Sequence, residues 1–230
     1  MAVKTNKKEF TLGLGMMVAF IVVLVAMFFP IYHGHNGLEY LDALYNSISK
    51  GSAYYIPKVQ EEIAPFQGDE VDLRFDVPDA ARAEEVARQF NATGAMVNVT
   101  GAEVHISGDL GGIMAAILED SESMYRNDSK ALEAKYGIEG RQALYNWWKA
   151  IAGMDKDLTR QKRFKEAKIL DSVKAKALET AYNYYGIEAQ RISDRWGIVI
   201  FSLVFYVVYT LWYGFGIMFM FEGSGMKLEH

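Results

Sequence analysis

Residues 10–32 read FTLGLGMMVAFIVVLVAMFFPIY, 23 positions without a charged side chain. About 20 helical residues cross the hydrocarbon core of a bilayer, so this stretch reads as a spanning helix. A cleaved signal peptide would carry a shorter apolar core and a small-x-small cleavage site. Pro30, Ile31, Tyr32 and His33 follow instead, as expected of an uncleaved anchor. Near the other end, residues 196–221 read WGIVIFSLVFYVVYTLWYGFGIMFMF, again uncharged and with aromatic ends of the kind found in membrane-interface belts. The expected fold class is an α+β membrane protein, with two transmembrane helices flanking an extracytoplasmic domain.

Lys4, Lys7 and Lys8 precede the first span against a single acid, Glu9. The bias of basic flanks toward the cytoplasm then places both termini inside and the central region outside, as in a two-pass protein of the cell inner membrane. Neither span carries an ionisable acid, base or histidine, the groups that mark proton relays and ion pathways, so a pump is disfavoured. Two faces stand out. Gly15, Ala19, Val22 and Ala26 form a small-residue seam, and Ser202, Tyr206, Tyr209 and Tyr213 form a hydroxyl stripe at matching helical intervals. Such faces serve helix packing within or between chains; a pore lined by the hydroxyls would need several subunits.

Charges concentrate between the spans, and the net charge of −5 offers no basic field for nucleic acid. The absence of cysteine excludes disulfides, thiolate metal sites and a cysteine nucleophile. The final Leu228-Glu229-His230 resembles the start of an appended histidine tag. That leaves His33, His35 and His105. His33 and His35, with Glu39 and Asp42 close behind, are the candidate metal ligands, because imidazole and carboxylate suit zinc, copper or iron.

The expected division is 1–9 cytoplasmic flank, 10–32 first span, 33–69 membrane-proximal helix and linker, 70–127 small α/β unit, 128–195 helical region and stalk, 196–221 second span, and 222–230 tail. Leu38, Leu41, Leu44, Tyr45 and Ile48 have helical spacing, and Pro57 to Gly68 reads as a linker. Val71, Leu73, Phe75 and Val77 alternate with polar residues as a half-buried strand does. A helix from Ala80, two strands joined at Thr100-Gly101, and a helix from Asp109 follow. The order β-α-β-β-α is close to a ferredoxin-like topology lacking its last strand. Beyond Asp128 the pattern is helical, with a possible repeat of KALE and YGIE at Lys130/Tyr136 and Lys176/Tyr185. The second copy is expected to form a long stalk leading into Trp196.

Other features have mainly structural readings. The basic run from Arg160 to Lys168 reads as a solvated helix face or a lipid contact. Asp109-Leu110-Gly111-Gly112 reads as a capped helix start rather than an anion site. The clusters Tyr145–Trp148 and Tyr182–Tyr185 are packing or contact aromatics. Asn91, Asn98 and Asn127 begin glycosylation sequons. No common hydrolase, zincin, calcium-loop or kinase motif is present. The expectation is a non-enzymatic protein, without cofactor, that self-associates or serves as an accessory or scaffold subunit in the lipid bilayer. An oligomeric channel or transport component, and an extracytoplasmic sensor or metal-handling protein, are the alternatives.

Overall fold

The computed structural model describes residues 6–31 and 34–226, which divide into a terminal unit, 6–49 with 189–226, and a central unit, 50–188. The chain is mostly helical, with one three-stranded sheet and two long apolar helices.

In the terminal unit, α1 (Lys7–Met27) and α10 (Ile192–Gly223) are long and apolar enough to cross a membrane. Only 11% and 6% of their most apolar windows are buried in the chain, unlike the core helices of a soluble domain. Asn6 caps α1 by accepting from the Lys8 N–H, and its own N–H donates to the Gly223 carbonyl. The helix stops at Met27, short of the expected boundary at Tyr32. Pro30 has no N–H to donate and its ring would clash one turn back, so Phe28 and Phe29 close the last turn with bonds to Val25 and Ala26. The amphipathic α2 (Gly37–Ser52) opens with a capping box: Asn36 N–H donates to Glu39 Oε2 and Glu39 N–H to Asn36 Oδ1.

The central unit begins at the end of α2. Residues 57–68, expected as a linker, instead form α3 (Ile56–Ile63) and a 3₁₀ turn (Ala64–Phe66). Pro57 lies in the first turn of α3, where a missing N–H costs nothing, and Val59 and Ile63 are fully buried. The α/β order then follows the sequence pattern: β1 (Glu70–Asp76), α4 (Ala80–Asn91), β2 (Met96–Thr100), β3 (Glu103–Asp109) and α5 (Leu110–Tyr125). The sheet is antiparallel in the order β1-β3-β2, with Leu73 opposite Ile106 and Val97 opposite Ile106 on its other side. Gly101, at φ +63°, opens the two-residue turn between β2 and β3, where a hairpin of this length needs a left-handed residue.

Helices α6 (Ser129–Tyr136), α7 (Gly140–Arg160), α8 (Phe164–Val173) and α9 (Glu179–Tyr184) complete one core with the sheet, α4 and α5. Phe90 stands between Phe75 and Trp147, with ring centroids 6.0 and 5.0 Å away. The expected stalk is corrected here. Residues 164–184 are a helix interrupted by a π-helical turn (Lys174–Leu178), and Leu170, Val173, Ala177, Leu178 and Ala181 are buried. The chain then leaves helical geometry at Tyr185, which is extended, and turns through Gly186, φ +84°, before α10 begins. Apolar residues along this segment were available to close the core, and that burial outweighs continuing a solvated rod. The two YGIE copies share a left-handed glycine after a helix, Gly137 and Gly186, but Trp147 is buried while Trp196 is 65% exposed.

Candidate functional site

Among the described residues, side chains converge along the α1–α10 seam, in the buried polar hubs of the central unit, and in an aromatic groove on that unit. In the seam, α1 uses Gly13, Met16, Met17, Phe20, Val23, Leu24 and Met27, all at least half-buried. A Cβ at Gly13 would lie 2.6 Å from the Met220 nitrogen and 2.8 Å from the Gly216 carbonyl oxygen, so glycine is required for that approach. Phe20 stacks on Tyr209 at 4.3 Å, and Trp212 Nε1 donates to the Met16 carbonyl at 3.1 Å.

The expected small-residue seam lies on a different face. Gly15, Ala19, Val22 and Ala26 are exposed, and a Cβ at Gly15 would meet nothing within 4 Å. The hydroxyl stripe divides. Ser202 is buried and receives the Tyr45 hydroxyl at 2.6 Å while donating to the Val199 carbonyl. Tyr209 and Tyr213 turn toward Phe20, and Tyr206 is 68% exposed. The four hydroxyls therefore share no single open surface. Ala26 and Ser202 do meet, in an apolar recess of about 300 Å³ that Leu41, Phe201 and Phe205 also line.

His33 lies outside the described residues. The His35 side chain is 69% exposed and its Nδ1 is 3.5 Å from Glu39 Oε2, while Asp42 accepts from Asn46. Among the described residues, no three histidine or carboxylate side chains converge as a metal site would need. His105 reaches Asp72 at 2.9 Å on the polar side of the sheet.

The polar hubs were not legible in the sequence. Asp120, 1% exposed, accepts from Lys135 at 2.9 Å, from the Tyr136 hydroxyl at 2.7 Å and from Trp147 Nε1 at 2.7 Å. Burial, and then the Asp120 carboxylate, push the Tyr136 phenol far up, so it stays a donor. Lys50, 2% exposed, donates to Asn127 Oδ1 and to the carbonyls of Tyr184 and Ile187, with its ammonium 4.9 Å from the Tyr125 ring centre. Asn127, in left-handed geometry at φ 64°, also receives the Gly186 N–H and donates to Ile187 and Glu188. Its carboxamide is thus committed within the fold, whereas the sequon residues Asn91 and Asn98 are exposed. Asp109 likewise occupies its own helix start, accepting from Gly111 and Gly68. Asp157 and Arg163 bind the β1 backbone, which commits one member of the basic run, Arg163, to the fold.

The two aromatic clusters meet in a groove of about 300 Å³. Tyr145, Trp148, Leu178, Glu179, Tyr182 and Asn183 line it, just after the π-helical turn. Tyr145 and Trp148 stack with centroids 6.2 Å apart, and Trp148 Nε1 donates to Glu179 at 2.9 Å. Lys149 lies over both rings and Arg141 over Tyr182 and Tyr185. π-Bulges are frequent at functional sites because they turn side chains out of helical register. The hubs are closed and fully partnered, whereas this groove and the outer face of α1 are open. Comparison with known proteins finds no matching family model, no matching curated protein and no matching solved structure.

Proposed function

We propose that this chain is a two-pass membrane protein of the cell inner membrane, with its central unit extracytoplasmic, that works by assembly rather than catalysis. It self-associates or serves as an accessory or scaffold subunit. Both long helices leave most of their apolar surface uncovered in the chain, which supports a lipid environment. The observation that carries the assembly reading is the division of α1 into two faces. Gly13 and Phe20 pack on α10, while Gly15, Ala19 and Val22 stay open to another helix. The aromatic groove supplies a second contact surface on the central unit. Particle mass of the full chain in mild detergent tests this reading. A multimer or a stoichiometric copurifying subunit is the expected result, and a strictly monomeric particle without a partner overturns it.

A further inference from the structure

The central sheet has two unlike edges. On β1 the outward backbone is occupied: Arg74 N–H donates to Asp157 Oδ2, the Asp72 carbonyl accepts from Gln161, and the Glu70 carbonyl accepts from Arg163, each at 2.9 Å. These bonds also fix the phase of the sheet. With residues 70, 72 and 74 turned outward, β1 bonds β3 through Val71, Leu73 and Phe75, opposite Gly108, Ile106 and Val104. β3 then turns Glu103, His105 and Ser107 toward Thr100, Asn98 and Met96 of β2. The N–H and C=O of Val97 and Val99 consequently point away from the sheet. Among the described residues, no hydrogen bond from outside the sheet reaches them.

Native edge strands are normally protected by charge, proline, a bulge or a cover. β2, MVNVT, has no charge or proline, and the uncharged stretch runs from Gln89 to Ala102. Met96 adds a side chain that is 73% exposed. We propose that β2 is a seam at which a second copy of this chain adds its own β2, antiparallel about Asn98, giving one continuous six-stranded sheet. This deepens the self-association proposed above and rests on it.

The register is self-complementary. Val97 of each copy exchanges backbone bonds with Val99 of the other, Met96 faces Thr100, and Asn98 faces its counterpart, so no like charges meet. The helix beside this edge, α4, carries Arg82 and Arg88 against Glu84 and Glu85, so two copies of it approach without net repulsion. No position along the strand requires a countercharge from a foreign partner.

The chain has no cysteine, which gives a clean test. In this register the two Asn98 positions form a non-hydrogen-bonded pair with Cα atoms about 4.5 Å apart, within disulfide reach. Full-length Asn98→Cys in membranes under mild oxidation is expected to form a chain-to-chain disulfide dimer, and Asn91→Cys is not. Asn98→Lys opposes two cations across the seam and should weaken association several-fold, with an unchanged circular dichroism spectrum. If the unaltered chain is multimeric but Asn98→Cys yields no dimer, the seam is overturned and self-association stands on another surface. Crosslinking without any loss in Asn98→Lys shows collision only, and a disulfide to a different protein excludes the second copy; either overturns the seam. A strictly monomeric unaltered chain overturns the seam, and one that also lacks a copurifying subunit removes both readings.

Discussion

Asn127 Oδ1 lies 3.1 Å from Lys50 Nζ, and through this bond the residue at which the chain enters the central unit is tied to the segment by which it leaves. The same carboxamide receives the Gly186 N–H and donates to the Ile187 carbonyl. The Tyr125 hydroxyl closes the other side by donating to the Lys50 carbonyl.

Desolvation holds the Lys50 ammonium below the usual lysine range, with Glu188 partly opposing the shift. Between the lowered folded value and the unfolded value of 10.5, the unfolded chain binds more protons, so stability rises with pH across that window. Lys50→Met is expected to remove this alkaline rise and, at pH 7, to cost about 1–3 kcal/mol by stranding buried acceptors. Thermal unfolding of the full chain in detergent from pH 7 to pH 11 measures both effects; an unaltered alkaline slope would count against this account.

Asp120 gathers three donors from Lys135, Tyr136 and Trp147 in the core. Asp120→Ala is expected to destabilise the central unit by about 3–5 kcal/mol, because it leaves a half-buried ammonium and two buried donors without their acceptor. Tyr136→Phe keeps the ring and removes only the hydroxyl's bond to Asp120, so its expected cost is nearer 1–2 kcal/mol. Denaturant titration of the two variants would show that order, and equal losses would refute the shared hub.

Glu62 bonds Lys176 and Ser172, and the Lys176 bond is the main reason its carboxyl sits below the ordinary value. A depressed folded value means that the stabilisation is present above about pH 4.5 and is lost as pH falls through the folded value. Glu62→Gln should lower stability by roughly 0.5 kcal/mol at pH 7, as for a partly exposed pair. The difference from the unaltered chain should shrink steadily in melts carried out at progressively lower pH, once the folded carboxyl begins to protonate.

Gly13 and Gly15 separate the two faces of α1. Gly13→Leu would drive a side chain into the Met220 and Gly216 backbone of α10, so it is expected to lower the melting temperature and part the helices. Gly15→Leu meets open space; it should leave melting unchanged and reduce multimer mass if the outer face is an assembly surface. Paired melting and mass measurements distinguish these effects.

Much of the α/β order was legible because period-two alternation at Val71, Leu73 and Phe75 and the Thr100-Gly101 turn are local signals. The burial of α3 and of residues 164–184 was not. A short amphipathic helix and an exposed stalk have the same pattern until something apolar covers them. The choice of Gly13 over Gly15 was equally hidden, since both lie in one apolar run and the face used depends on where Gly216 and Gly223 of α10 fall. The aromatic groove was half visible: both clusters could be read, but their meeting could not.

The two uncharged segments that opened the sequence could be read from composition alone, because 23 and 26 residues without a charge are long and apolar enough to cross a membrane. Their limits, and the face each turns inward, came from tertiary structure: Pro30 ends α1 early, and close glycine contacts choose its packing side. The same holds for Asp120 and Asn127. Their identity shows polar groups, but only the convergence of donors from distant segments makes them hubs. Local periodicity is written in neighbouring residues, whereas the partners that satisfy buried polar groups are set by long-range packing.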